Sequence, residues 1–372
     1  MQHFFLLFSA FLLTGNLLAQ DAFFHRPGRS QLGTEQNRTA SVSVGDIDQD
    51  GDMDIVVANG RHWPQPNYLF FNSGGGRFNV KVPLSPVQST TYAAELGDLD
   101  GDGDLDLAVG NDMAPNRLFF NDGTGTFSER GGFGEKYAST RNLTLSDLDG
   151  DGDLDILITN RGMENEICLN DGQGNFPEAI PFGTADDSTI DVETADLDQD
   201  GDQDLILANR DGGQNYIYLN DQMQFSQKVP FGTGSDETRA VGAVDLDQDG
   251  YLDIITANIG EENRIYYGDA QQGYTQVVVL EGAAQTYSLA ISDLNQDGYP
   301  DLLFANSRGT NVVYLNPKRR SGFVPIIYTQ KEANTYDIIT GDLNGDGYPD
   351  IIEANSDALN LFYLNRMNNP KE

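Results

Sequence analysis

Apolar residues along this chain come in short runs broken by clusters of Gly, Asp and Asn. Residues 140–180 show the pattern. Thr140–Ser146 (TRNLTLS) alternates polar and apolar side chains, as a strand with one wet face does. Ile156–Thr159 is a continuous apolar run, and Glu166–Leu169 is a third short segment. After the turn Asn170-Asp171-Gly172-Gln173-Gly174, a fourth follows at Asn175–Ile180. Runs this short, separated by turn formers, predict four β-strands, and no segment holds a helical apolar period of useful length.

The same pattern returns seven times. Nine-residue acidic loops begin at Asp46, Asp98, Asp147, Asp196, Asp245, Asp293 and Asp342, so the periods are 52, 49, 49, 49, 48 and 49 residues. A Thr stands seven residues before each loop (Thr39, Thr91, Thr140, Thr189, Thr238, Thr286, Thr335). An Asn stands thirteen residues after each loop start (Asn59, Asn111, Asn160, Asn209, Asn258, Asn306, Asn355). A fixed period near 50 with four strands per unit predicts an all-β, seven-bladed β-propeller with four-stranded blades. Six units have an aromatic expected to open the fourth strand: Phe78, Phe127, Phe176, Phe225, Tyr274 and Phe323. The seventh unit stops after its third strand, and Phe24 lies 22 residues before Asp46. The segment Ala22–Arg26 is therefore expected to supply the missing strand and close the ring.

Composition adds a charge question. The 372 residues carry 58 Asp+Glu against 22 Lys+Arg, a formal charge of −36. Thirty of the 58 acids lie in the seven loops, which leaves 28 acids against 22 bases elsewhere. The balance argues against nucleic acid or anionic lipid as a partner, since both need Lys/Arg patches. Cys168, the single cysteine, sits in an apolar run and is expected to be buried and inert. Phe4 to Leu13 is a short apolar run followed by Leu17-Leu18-Ala19, which reads as a signal peptide over residues 1–19. The expectation is export, no stable membrane insertion after cleavage, and a single propeller over residues 20–372 that is monomeric.

The loops carry the candidate chemistry. In Asp147-Leu148-Asp149-Gly150-Asp151-Gly152-Asp153-Leu154-Asp155, carboxylates fall at positions 1, 3, 5 and 9, and Gly at position 6 permits a sharp turn. Hard oxygen donors from positions 1, 3 and 5, a backbone carbonyl at 7 and a closing carboxylate suit Ca²⁺. The candidate ligands are Asp46, Asp48, Asp50, Asp52 and Asp54; Asp98, Asp100, Asp102, Asp104 and Asp106; and Asp147, Asp149, Asp151, Asp153 and Asp155. The fourth and fifth loops supply Asp196, Asp198, Asp200, Asp202 and Asp204, then Asp245, Asp247, Asp249, Tyr251 and Asp253. The last two supply Asp293, Asn295, Asp297, Tyr299 and Asp301, then Asp342, Asn344, Asp346, Tyr348 and Asp350. With Asn at position 3 these two carry one charge fewer and are expected to bind more weakly. Carboxylates about 4 Å apart repel by roughly 4 kcal/mol per pair at an effective dielectric of 20, so seven clusters call for cations. Up to seven Ca²⁺ would bring the formal charge to −22.

The loops, their spacing and their number resemble the FG-GAP/VCBS repeats of secreted bacterial proteins, related to the propeller of integrin α-subunits. The resemblance spans about residues 22–366 and implies a seven-bladed propeller with Ca²⁺ in the hairpin between the first and second strands of each blade. The chain lacks literal Phe-Gly and Gly-Ala-Pro signatures and carries more calcium loops than an integrin ring.

Partner recognition is expected on the face opposite the loops. The longest connection there, Gly60-Arg61-His62-Trp63-Pro64-Gln65-Pro66, holds the only Trp, and Trp63 beside His62 suits stacking on a sugar or a peptide side chain. Just after each Thr the residues vary: Ala40, Tyr92, Arg141, Ile190, Arg239, Tyr287 and Tyr336. Asn142, Asp191 and Asp337 come next, and these positions are expected to rim a channel mouth. His62, Trp63, Tyr92, Arg141, Asp191, Arg239, Tyr287, Tyr336 and Asp337 are the candidate ligand-binding residues, for an extracellular glycan or protein. A polysaccharide lyase could be cast from Arg141 and Arg239 with a Tyr base, and a glycosidase from Glu95 and Glu193. No catalytic motif supports either, so a binding module without enzymatic activity is the expectation, with a structural module of a surface assembly as a further alternative.

Overall fold

A computed structural model describes residues 23–28, 30–184, 187–271, 273–282, 284–329 and 333–367. The export signal read over residues 1–19 lies outside the described residues. The elements between residues 24 and 365 are all strands. Among the described residues no helix is long and apolar enough to cross a membrane.

Each repeat folds as an antiparallel four-stranded meander. In the third, Thr140–Ser146, Asp155–Asn160, Asn165–Leu169 and Glu178–Phe182 pair in that order. The predicted fourth strand began too early. Phe127, Phe176, Phe225, Tyr274 and Phe323 lie before their strands, and only Phe78 opens one. The aromatic packs sideways instead, as Phe176 does at 6.2 Å from Phe133 of the second repeat.

Second strands such as Asp155–Asn160 are buried along their whole length, which explains their unbroken apolar runs. Each is covered on both faces by neighbouring sheets. One core cluster joins Val42, Ile55, Val57 and Phe70 of the first repeat to Leu343, Ile352, Ala354 and Phe362 of the last. Cys168 is buried in such a cluster, and burial pushes its thiol up to about 12, as expected of an inert cysteine.

Repeats 1 to 5 form five separate four-stranded sheets. Repeats 6 and 7 share a nine-stranded, curled sheet. They join because Asp301–Gly309 runs on past its usual end and pairs Ser307 with Asn334 and Gly309 with Ala333. The outer strand of repeat 7 comes from the N-terminus in two pieces. Phe24–His25 and Gln31–Leu32 both pair with Asn360–Asn365.

Candidate functional site

The seven acidic loops share one geometry. In every loop the position-1 carboxylate accepts the N–H of the position-6 Gly, at 2.7–3.2 Å. The position-5 carboxylate accepts the N–H of position 7 at 3.0–3.1 Å, whether that residue is Asp or Tyr. Position 4 is left-handed throughout. Gly101, Gly150 and Gly345 supply it without strain, while Gln49, Gln199, Gln248 and Gln296 adopt it with φ of 55–64°. Those glutamines reach sideways to the next loop: Gln199 Nε2 donates to Gly250 O at 2.6 Å and Gln248 Nε2 to Gly298 O at 2.7 Å.

Each loop therefore aims several oxygens inward. Ligand oxygens of Asp46, Asp48 and Asp50, and of Asp147, Asp149 and Asp151, lie within 4.8 Å of one another. Asp98, Asp100 and Asp106 do the same, as do Asp196, Asp198 and Asp204, and Asp245, Asp247 and Asp253. Such clusters can hold metal ions. The donor set fits a hard cation, because the inner oxygens Asp48 Oδ1, Asp100 Oδ1 and Asp247 Oδ1 are buried without a hydrogen-bond donor. In repeats 2 and 5 the outer oxygen is held by arginine: Arg130 to Asp100 at 3.2 Å, and Arg320 to Asp247 and Asp249. The last two loops replace the position-3 carboxylate with Asn295 and Asn344, whose Oδ1 atoms accept the N–H of Asp297 and Asp346.

The position-9 carboxylate has a second task. Asp54, Asp106, Asp155, Asp204, Asp253, Asp301 and Asp350 are fully buried at the start of the second strand. One oxygen accepts the position-2 N–H of the same loop at 2.9–3.1 Å. The other accepts an N–H at the end of the third strand, at 2.7–2.9 Å. Burial pushes these groups up, to about 7 for Asp253 and Asp350 and to about 6 for the rest. A bound cation would favour their ionised form. The apolar position-2 residues, Ile47 through Leu343, are buried beside them.

Sequence reasoning missed what ties neighbouring repeats together. At or just past the end of the third strand, six repeats carry an Asn: Asn72, Asn121, Asn170, Asn220, Asn316 and Asn365. Its Nδ2 donates to the position-2 carbonyl of the adjacent loop, as from Asn121 to Ile47 at 2.8 Å and from Asn72 to Leu343 at 2.8 Å. The fifth repeat has Gly268 there. On the opposite face, the recurring Thr and Asn meet as a buried pair, Oγ1 to Oδ1 at 2.7–3.2 Å in all seven repeats. A second Asn, such as Asn67 or Asn360, accepts the first one's N–H and donates to the next Thr, including Asn360 to Thr39 at 3.1 Å. The signal was present: an Asn recurs five to eight residues after each of the first.

The variable residues after each Thr have a structural reason to vary. Each sits at a register shift between the first two strands, between Thr39 and Ser41 in the first repeat and between Thr238 and Ala240 in the fifth. A bulged residue is left out of the ladder, so its side chain is re-aimed. Ala40, Tyr92, Arg141, Arg239, Tyr287 and Tyr336 consequently line one cavity of about 470 Å³, together with Asp191, Asp337, Glu95 and Glu193. Ile190 turns into the core instead.

Cations and rings interleave at this mouth. Arg141 lies 4.3 Å over Tyr92 and pairs with Asp112 at 3.0 Å. Arg61 lies 3.7 Å over Tyr336, which meets Tyr287 edge-on at 4.6 Å. His62 Nδ1 is 2.9 Å from the Tyr92 hydroxyl, and burial holds its imidazole below the usual range. Trp63 is 64% exposed on the same loop and does not line the cavity. Asp191 and Asp337 are largely spent on neighbouring repeats: Asp191 accepts from Val241 N and Asn142 Nδ2, Asp337 from Val42 N and Ser288 Oγ. Deeper in the channel, burial first and Asp191 second push Glu193 up to about 8, and Glu95 is raised well above the carboxylate range.

A second cavity, of about 560 Å³, opens where the outer strand of repeat 7 is broken. Its wall includes Glu353, 1% exposed, where the other repeats carry Val57, Val109, Ile158, Leu207, Thr256 and Phe304. Glu353 Oε1 accepts from Asn311 Nδ2 at 2.6 Å and Tyr328 OH at 2.9 Å, so this acid bolts repeats 6 and 7.

Six overlapping spans match the FG-GAP-like repeat model: residues 46–109, 98–158, 147–207, 196–256, 245–304 and 293–353. No curated protein matches the sequence. Among solved structures, the chain is similar to a crystal structure of BBS1N in complex with ARL6DN, soaked with lead, at 12% identity and TM-score 0.62. A mercury-soaked crystal of the same complex gives 12% identity and TM-score 0.63, and each likeness covers 92% of this chain and 97% of that one. At this identity the likeness is one of β-propeller fold.

Proposed function

Because the chain belongs to the FG-GAP-like repeat family, we propose that it is an exported, calcium-loaded propeller of seven blades that binds an extracellular carbohydrate or protein ligand without catalysing a reaction. The division of labour between the two faces carries this reading. One face repeats the same oxygen-lined loop seven times, whereas the other presents a different bulged side chain from each repeat. Scaffolds commonly keep one part constant and vary the loops that recognise ligands.

Seven blades are supported by the matched spans, each of which runs from one loop through the next. Closure by the N-terminal strand is supported by the pairing of Phe24 with Asn365 and by the bonds from Asn72 to Leu343 and Asn360 to Thr39. Calcium is favoured by all-oxygen donor sets with orphaned inner oxygens. Export rests on residues 1–19 alone, and the monomer on the charge carried by the surface. A glycan array probed with the full chain in calcium tests the binding reading. Binding that is lost in Trp63→Ala or in mouth variants supports it. New ultraviolet absorbance from an unsaturated uronate, released from any glycan bound, would overturn the non-catalytic part in favour of a lyase.

A further inference from the structure

The mouth cavity contains a guanidinium that no acceptor of the protein holds. Arg239 is the bulged residue of repeat 5 and lines the cavity. Among the described residues it makes no hydrogen bond and no ion pair, although it carries five N–H donors. Its contact is with the Tyr287 ring, 5.9 Å away. The other arginines nearby are tied to the protein at least in part. Arg141 donates to Asp112 Oδ1 at 3.0 Å and to Thr140 O at 3.1 Å. Arg61 donates to Ser356 Oγ at 3.1 Å, with its Nε buried and unpartnered. The facing acids, Asp191 and Asp337, use their oxygens on backbone and side-chain donors of adjacent repeats. They balance the charge of Arg239 at a distance without satisfying its donors. The residue is partly exposed, so this fork of donors opens to solvent within the cavity and is free to take up an anion.

We propose that Arg239 binds the carboxylate of an acidic sugar at the channel mouth, an inference that rests on the binding-module reading above. A planar guanidinium matches a planar carboxylate through two parallel N–H···O bonds. The rest of the wall favours a sugar over a peptide terminus. Asn142 and Thr144, whose donors are taken by Asp191 and Val192 O, keep acceptor oxygens for ring hydroxyls, and the Tyr287 ring offers a face to the sugar's C–H surface. Burial raises the carboxyls of the deep Glu95 and Glu193, which lessens the charge they set against an incoming anion.

Titration calorimetry of the full chain in calcium provides the test. The probes are tetrasaccharides containing glucuronate, galacturonate or mannuronate, each beside its carboxyl-reduced counterpart. At least one uronate should bind, and carboxyl reduction should weaken it by roughly 10- to 100-fold. Arg239→Gln should weaken it as much, and Arg239→Lys less, because lysine keeps the charge but not the fork. Equal binding of a uronate and its reduced form, or wild-type affinity in Arg239→Gln, overturns the carboxylate assignment while leaving the binding reading intact. Binding of a peptide with a free C-terminal carboxylate, with no uronate bound, overturns the sugar. Silence towards every acidic sugar here and every neutral sugar on the array removes both. The carboxyl-reduction arm needs no variant, so the test survives if Arg239→Gln melts early.

Discussion

The two faces of this molecule obey opposite rules. On the loop face the same contacts recur with variation of a few tenths of an ångström, from the position-1 carboxylate to the buried position-9 acid. At the channel mouth the equivalent position is Ala, Tyr, Arg, Ile, Arg, Tyr and Tyr in turn. Both regions are polar and both are held by buried hydrogen bonds, so polarity does not separate them. What differs is whether the backbone needs the side chain. The loop acids satisfy backbone N–H groups that would otherwise be orphaned, whereas a bulged residue satisfies none. Repetition thus marks where the fold is made, and variation marks where it is free to recognise something.

Chelation is the hardest way to break the loop face. If the clusters hold calcium, EDTA should lower the melting temperature by on the order of 10 °C or more, because several sites each contribute through mass action. An unchanged melting temperature by calorimetry would remove calcium from the account. A single loop acid should also matter. Asp106→Ala leaves the N–H groups of Leu99 and Asn121 without acceptors in a fully buried place. A loss of about 3 kcal/mol is expected in urea unfolding. Asn121→Ala, which removes the bonds to Ile47 O and Leu105 O and the acceptor of the Asp122 and Gly125 N–H groups, should cost about 1–2 kcal/mol. The fifth repeat already lives with Gly268 at that place, so a cost as large as that of Asp106→Ala would mean the latch is more than a pairwise bond.

How much of this was legible in the sequence follows the same division. The strand pattern, the loops and the Thr and Asn of each repeat were legible, because each is a local requirement repeated at fixed spacing. The role of that Thr–Asn pair was not, since its hydrogen bond joins residues twenty apart through strand pairing. The links between repeats were less legible still. In six repeats the Asn at the end of the third strand acts on a carbonyl of the adjacent repeat, 71 residues away for Asn170 and Leu99. The fourth strands start later than the recurring aromatic predicts, because that residue packs against a neighbouring repeat ahead of its strand, as Phe176 does on Phe133. At the mouth, Asp191 and Asp337 looked like ligand residues by position. Their oxygens turn out to accept donors from Val241 and Val42, which periodicity cannot reveal.

A smaller effect is expected at the floor of the channel. Glu193 is raised from its ordinary value to about 8, by burial and then by Asp191, with Arg239, Glu95 and Asp337 also facing the cavity. A carboxyl whose folded value is raised binds its proton more tightly in the folded chain. Its contribution is therefore present below the unfolded value near 4.5 and is lost as pH rises through about 8. The melting temperature should fall by a few degrees between pH 6 and 9, with calcium saturating. Glu193→Gln should flatten that slope, and an unaltered slope in the variant would assign it elsewhere.

Trp63→Ala should have the smallest effect on stability and sharpens the comparison most. The ring is 64% exposed on a long connection, and neither the loop clusters nor the buried Thr–Asn pairs include it. Surface substitutions of this kind usually stay within about 0.5 kcal/mol. A large loss would show that Trp63 packs against the sheet edge and belongs to the fold, as a loop acid does. An unchanged unfolding midpoint together with lost ligand binding would place it with Tyr92 and Arg239 among the residues the backbone does not need. The two measurements on one variant therefore decide which rule Trp63 obeys, and with it how far the variable surface extends beyond the channel mouth.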